Sequence, residues 1–158
     1  MKIAATQYSP QYGSLEVYIS GCDGACPGCH NPELWNYDLG LDYRERIPYI
    51  IEKTHAFESM IDRIWILGGE PLLQDTDCLV DLLSQLRVTG KTIFLFTRFP
   101  LAQIPEEVRE YCDIVKCGEY DASLDQKICD KVTLASSNQT FYQKRGRSDW
   151  IELEGLSL

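Results

Sequence analysis

The sequence predicts an α/β fold built on a curved, mainly parallel sheet, an open partial (β/α) barrel. Three observations carry this expectation. Apolar, β-branched and aromatic runs at 15–20, 63–67, 91–97 and 113–117 alternate with segments of helical period at 43–57, 76–88 and 105–111. Such alternation produces parallel strands joined by right-handed crossovers. The first two runs end in glycine-bearing loops, Ser20-Gly21-Cys22 and Gly68-Gly69-Glu70, and sheets of this kind place their ligands beyond the carboxyl ends of the strands. The 158 residues suffice for one core but not for a closed barrel of six or eight units, so a single domain over 1–158 is expected.

Composition narrows the function classes. Hydrophobic residues make up 44% and charged residues 25% of the chain, which is ordinary for a globular domain. A formal charge of −9 argues against a nucleic-acid surface, because phosphate binding needs clustered Lys and Arg. The one basic run, Lys144-Arg145-Gly146-Arg147, reads as a solvated turn. No apolar run reaches the roughly 18 residues of a spanning helix, so no membrane partner is expected. The N-terminus lacks the apolar core and cleavage site of a signal peptide. Seven cysteines, an odd number, favour thiols and metal over a disulfide scaffold, and the expected location is cytoplasmic.

Taken in order, the 15–20 run delivers a cysteine loop from its carboxyl end. Residues 43–57 put Ile47, Ile50, Ile51, Thr54 and Phe57 on one face, and Pro48, tolerated only in a first turn, places the helix start close to it. The 63–67 strand runs into Gly68-Gly69-Glu70-Pro71, where two glycines let a ligand approach the backbone and leave amides and carbonyls available to it. Residues 76–88 form the clearest helix, with Leu79, Val80, Leu82, Leu83 and Leu86 in a core stripe, Asp75 or Thr76 capping it and Gly90 ending it. Thr97, at the carboxyl end of the third strand, is a hydrogen-bonding candidate. The tail beyond residue 134 reads as a polar turn at Ser136-Ser137-Asn138-Gln139 leading into Thr140-Phe141-Tyr142.

The chemistry concentrates in Cys22, Cys26 and Cys29, spaced C-x3-C-x2-C in a loop rich in glycine and proline. A structural cubane cluster takes four thiolates, so three leave one iron without a protein ligand and open to a chelating partner. A Cys3His zinc site using His30 also fits the residue types, although the adjacent Cys29 and His30 close a tetrahedron poorly. Cys78, Cys112, Cys117 and Cys129 make no second cluster motif and are expected to pack in or near the core.

This spacing resembles the radical S-adenosylmethionine superfamily, and four pieces carry a closer resemblance to the activating enzymes of anaerobic ribonucleotide reductases, which are glycyl-radical activases. They are Ser20-Gly21-Cys22 with Cys26-Pro27-Gly28-Cys29-His30-Asn31, Gly68-Gly69-Glu70-Pro71-Leu72, Gly90-Lys91-Thr92-Ile93 with Thr97, and Ser136-Ser137-Asn138-Gln139. The resemblance implies a radical S-adenosylmethionine type of partial barrel. It also implies a [4Fe–4S] cluster on Cys22, Cys26 and Cys29, with S-adenosylmethionine on the open iron and cleaved to a 5′-deoxyadenosyl radical. Gly68, Gly69, Glu70, Thr97 and Asn138 would bind the cofactor, and no catalytic residue beyond the cluster ligands is implied. The implied partners are a glycyl-radical reductase subunit and a low-potential donor such as flavodoxin or ferredoxin. The chain departs from the family's Asp-Gly-Lys pattern at Cys117-Gly118-Glu119, leaving Lys116 and Arg98 to replace the missing lysine. It also has Gly28 where many members carry an aromatic, and Tyr12-Gly13-Ser14 in place of an arginine-bearing segment. Two other functions are compatible with the residues: a compact radical enzyme acting on a small molecule or peptide, as 7-carboxy-7-deazaguanine synthases do, and a zinc-binding adaptor.

Overall fold

The computed structural model describes every residue except Ala25 and Leu158. It opens with β1 (Lys2–Ser9) and β2 (Ser14–Ile19), then passes through the cysteine loop, a short 3-10 helix (Pro32–Trp35) and β3 (Leu41–Asp42) into α1 (Tyr43–Ala56). β4 (Arg63–Gly68), α2 (Thr76–Leu86), β5 (Thr92–Phe96), α3 (Glu106–Glu110) and β6 (Ile114–Cys117) follow in the expected alternation. The remainder is strand: β7 (Lys127–Cys129), β8 (Val132–Leu134), β9 (Thr140–Arg145), β10 (Asp149–Glu152) and β11 (Gly155–Ser157).

Eight strands form one sheet in the order β10-β9-β6-β5-β4-β2-β1-β3, and β11-β7-β8 form a second. The class is α/β, but the sheet is mainly parallel only at its centre. β2, β4, β5 and β6 pair in parallel, whereas β1, β3, β9 and β10 join antiparallel. The cause lies in the connections, since parallel neighbours need a crossover. β1 to β2 and β9 to β10 turn back through short loops, and no helix lies between β6 and β9. The sheet does not close on itself, with β10 and β3 as its outer strands. Among the described residues, no helix is long and apolar enough to cross a membrane.

Alternation along the central strands assigns each face a separate core. On β4, Ile64 and Ile66 join Leu79, Leu82, Leu83 and Leu86 of α2, Ile47 and Ile50 of α1, and Val108 of α3 in the helix-side cluster. Burial of each such aliphatic side chain stabilises the fold by roughly 1.5–3 kcal/mol. Trp65, on the opposite face of the same strand, packs with Phe94, Ile114 and Phe141, and Cys129, Val132 and Leu134 of the small sheet cover them. Helices therefore lie on one face of the large sheet and the β7–β8 hairpin on the other.

Two helix starts contrast. Asp75 caps α2, accepting from Cys78 N at 3.0 Å, and the segment ends at Gly90 in the left-handed conformation, as its sequence predicts. α1 begins at Tyr43, earlier than Pro48 suggests, with Asp42 as its cap accepting from Arg44 N at 2.9 Å. Pro48 thus sits inside the helix, on its exposed side. Buried Tyr43, Ile47 and Ile50 hold that turn in place despite the missing amide. The basic run at 144–147 ends β9 and enters the turn to β10, with Gly146 at φ +71°.

Candidate functional site

All four parallel strands end at one cavity of ≈ 340 Å³, as the strand order requires. Cys22, Cys26 and Cys29 line it after β2, Gly68, Gly69 and Glu70 after β4, Thr97 and Arg98 after β5, and Lys116 and Gly118 at the end of β6. The cysteine loop is drawn in by its backbone: Gly21 N donates to Leu34 O at 2.7 Å, and Cys29 N to Cys26 O at 3.2 Å. Gly24 and Gly28 take φ of +70° and +72°, which lets the loop wind tightly enough for all three thiols to reach the cavity. The three are free thiols, each partly buried. Burial pushes the Cys22 thiol up from its ordinary range. Ala25, between the first two cysteines, lies outside the described residues.

The Gly-Gly-Glu segment is tied to that loop more tightly than its sequence suggests. Gly69 N donates to Ile19 O at 2.8 Å and Glu70 N to Gly21 O at 2.9 Å, so these amides are already committed to the protein. A Cβ on Gly69 would run into the Gly21 carbonyl, and one on Gly68 into the backbone of Ile19. The glycines thus permit contact between two backbones; the Glu70 carbonyl accepts from Leu73 N at 3.1 Å and Gln74 Nε2 at 3.2 Å, so what the motif leaves for a ligand is the carbonyls of Gly68 and Gly69. Glu70 is 3% exposed. Its carboxylate accepts from Thr97 Oγ1 at 2.7 Å, Leu72 N at 3.0 Å and Arg98 N at 2.9 Å. Burial raises its pKa, and these donors oppose that rise.

Thr97 therefore spends its proton on Glu70 and accepts from Phe99 N at 3.1 Å, which makes it a positioning group at the cavity wall. Arg98 makes a two-pronged contact with Asp23, both bonds at 2.6 Å, fastening the cysteine loop to the end of β5. Lys116 is the remaining cation. It lines the cavity, and burial pulls its pKa down to about 8, with Glu70 opposing. Glu119, where the resembling family carries lysine, instead faces Cys26, whose Sγ approaches its carboxylate at 3.8 Å.

Asn138 is not brought to this cavity. Its Nδ2 donates to Glu119 O at 2.9 Å, and it borders a separate pocket with Pro27 and Glu119. Its neighbour Gln139 lines the cysteine cavity, donating to Gly118 O at 3.2 Å. Sequence reasoning also missed the apolar wall of Tyr12, Trp65 and Phe96, in which Tyr12 stacks on Trp65 at 4.9 Å. The period of two along β4 is the signal that could have found it, since Trp65 and Leu67 necessarily share a face.

The sequence model of the family described as a 4Fe-4S single cluster domain matches residues 13–142, which span all of the cavity's lining except Tyr12. The chain belongs to that family. An anaerobic ribonucleoside-triphosphate reductase-activating protein of Enterobacteria phage T4 is 28% identical over 130 residues, covering 80% of this chain and 81% of its own. The protein of the same name from Escherichia coli (strain K12) is 25% identical over 135 residues, covering 82% and 87%. A pyruvate formate-lyase-activating enzyme of Clostridium pasteurianum is 32% identical over 78 residues, covering 47% and 32%.

The residues of this 4Fe-4S domain suit such a cluster. A cubane spreads its thiolates over separate irons, so its ligands must ring a cavity and need not converge on one point. Three free thiols line one cavity here, in a loop otherwise poor in apolar side chains. Among the described residues, no three His, Cys, Asp or Glu side chains converge closely enough to hold a single ion. His30, the fourth ligand of the zinc alternative, packs its ring on Tyr120 at 4.8 Å.

Proposed function

We propose that this chain is a radical S-adenosylmethionine activase that installs a glycyl radical on an anaerobic ribonucleotide reductase. The observation that carries the reading is the meeting of three free thiols, the Gly-Gly-Glu turn and Lys116 in one cavity. Family membership and the names of the relatives support it. Cys22, Cys26 and Cys29 would hold three irons of a [4Fe–4S] cluster. When bound and reduced by a low-potential donor such as flavodoxin or ferredoxin, that cluster would supply the single electron for reductive cleavage of S-adenosylmethionine, the chemistry needed to remove one hydrogen from a glycine Cα of the partner.

The protein's share of the work is binding and exclusion. The carbonyls of Gly68 and Gly69, at the cavity wall, would suit the amino group of the methionine moiety. Lys116 offers the charge for its carboxylate, replacing the family lysine that Glu119 displaces. Glu70, braced by Thr97, keeps the Gly-Gly turn against β2, and Arg98 with Asp23 keeps the cysteine loop over it. The apolar wall of Tyr12, Trp65 and Phe96 favours the adenosyl portion and a dry reaction space. The whole works as one open partial barrel over 1–158 whose lateral mouth the partner covers, in the reducing cytoplasm.

Electron paramagnetic resonance tests this. Anaerobically reduced protein mixed with S-adenosylmethionine and the anaerobic reductase of the same genome should give the doublet of a glycyl radical. A reduced, iron-replete preparation that cleaves S-adenosylmethionine but leaves no doublet on that reductase would rule it out.

A further inference from the structure

The β7–β8 hairpin is stapled to the inner wall of the large sheet, yet one of its edges is open. Asp130 and Lys131 form its turn, with φ of +49° and +65°, and the register pairs Cys129 with Val132, Ile128 with Thr133 and Lys127 with Leu134. A two-residue turn makes the residues flanking it a hydrogen-bonded pair, and bonded and non-bonded pairs then alternate. Val132 and Leu134 therefore bond to β7, while the N–H and C=O of Thr133 point away from it. β8 is the last strand of its sheet. Among the described residues, neither Thr133 group meets a backbone partner.

That edge borders the reaction cavity, since Val132, Thr133 and Leu134 line it together with the three cysteines. It is also rigid, because Val132 and Leu134 are 4% and 3% exposed and pack on Trp65, Phe94 and Phe141. An edge fixed in advance lowers the ordering cost of binding. The outward N–H and C=O of Thr133 are groups that recognise peptide backbone.

We propose that the outer edge of β8, at Thr133, receives the glycine-bearing segment of the partner enzyme as an added strand. This rests on the activase reading above. A glycine has no side chain to grasp, so a site that must present its Cα holds the segment by main chain, and an open strand edge supplies such bonds.

Amide hydrogen exchange, resolved to single residues by mass spectrometry on the anaerobic protein with and without the reductase of the same genome, is the direct test. Exchange at Thr133 slows at least tenfold in the complex, while Val132 and Leu134, already bonded to β7, change little. Unchanged exchange at Thr133 in a formed complex overturns the proposal. A second measurement uses Thr133→Pro, which removes the outward N–H without touching the bonds to β7, against Thr133→Ala, which keeps it. At equal iron content, T133P should bind the reductase at least tenfold more weakly than T133A, and equal Kd values count against the added strand. Should T133P fail to fold, the exchange measurement on the unaltered chain decides. A wild-type glycyl doublet with no protection at Thr133 defeats this proposal alone. Absence of the doublet defeats the activase reading and the proposal with it.

Discussion

Gly69 and Lys116 show how single positions serve the site in opposite ways. Gly69 serves it by lacking atoms: with Ile19 O and Gly21 O both bonded to amides of its turn, a methyl group there meets backbone that cannot rotate away. Gly69→Ala should lose about 2 kcal/mol or more of stability, read from urea unfolding, and bind less iron on reconstitution. Retention of both would mean the two backbones separate more easily than their bonds imply. Lys116 serves it by carrying a charge that burial opposes. Its pKa stands near about 8 instead of 10.5, so the folded state holds the proton less tightly than the unfolded chain. Stability from this group is therefore lowest below pH 8 and recovers as pH rises toward 10.5. Lys116→Met should stabilise the iron-free protein at pH 7 by about 1–3 kcal/mol, with the advantage shrinking above pH 8 in thermal scans. The same variant should bind S-adenosylmethionine about tenfold or more weakly, as expected on losing a charge-assisted bond. Equal affinity in anaerobic calorimetry would remove Lys116 from the carboxylate role. The cysteines were readable because three ligands fit within one short loop. The choice between Asn138 and Gln139 was not, since adjacent residues of a turn point apart and nothing in their chemistry says which one faces the cavity.

Among the elements, those that follow the helical or strand period were the readable ones. α2 carries its cap, its stripe and its stop in sequence, and β4 and β5 are long apolar runs bounded by polar or glycine residues. β1 alternates weakly, and β7, β8 and β11 are three residues each, too short for a period to emerge. Their pairing is decided by tertiary partners, above all the aromatic wall that the hairpin covers. α1 is the instructive discrepancy, because local chemistry placed its start at Pro48 and burial of Tyr43 and Ile47 extended it backwards. The cost of that compromise can be measured. Pro48→Ala restores the amide facing the carbonyl of Arg44 at an exposed position, and should raise stability by about 1–2 kcal/mol after allowing for the looser unfolded chain. A drop in the chemical-denaturation midpoint would show that the ring packs usefully where it lies.

At the scale of the whole molecule, the residues that fold the chain and those that would hold the cluster barely overlap. Neither buried cluster contains Cys22, Cys26 or Cys29, and the cysteine loop reaches the core mainly through Gly21, Leu34 and the Gly68–Glu70 turn. A structural metal behaves otherwise, since its ligands are the core and its removal unfolds the domain. Chelation of iron under anaerobic conditions should therefore leave far-ultraviolet circular dichroism and a single cooperative unfolding transition in place. Protease cleavage and amide exchange should rise only within residues 22–31 and along the adjoining wall of the cavity. Cooperative loss of the sheet on iron removal would show that the cluster belongs to the core after all. Loss confined to the loop would mean that the sheet stores the geometry of the carboxyl-end groups, Glu70, Thr97 and Lys116, before any cofactor arrives, which is the preorganisation a site of this kind needs.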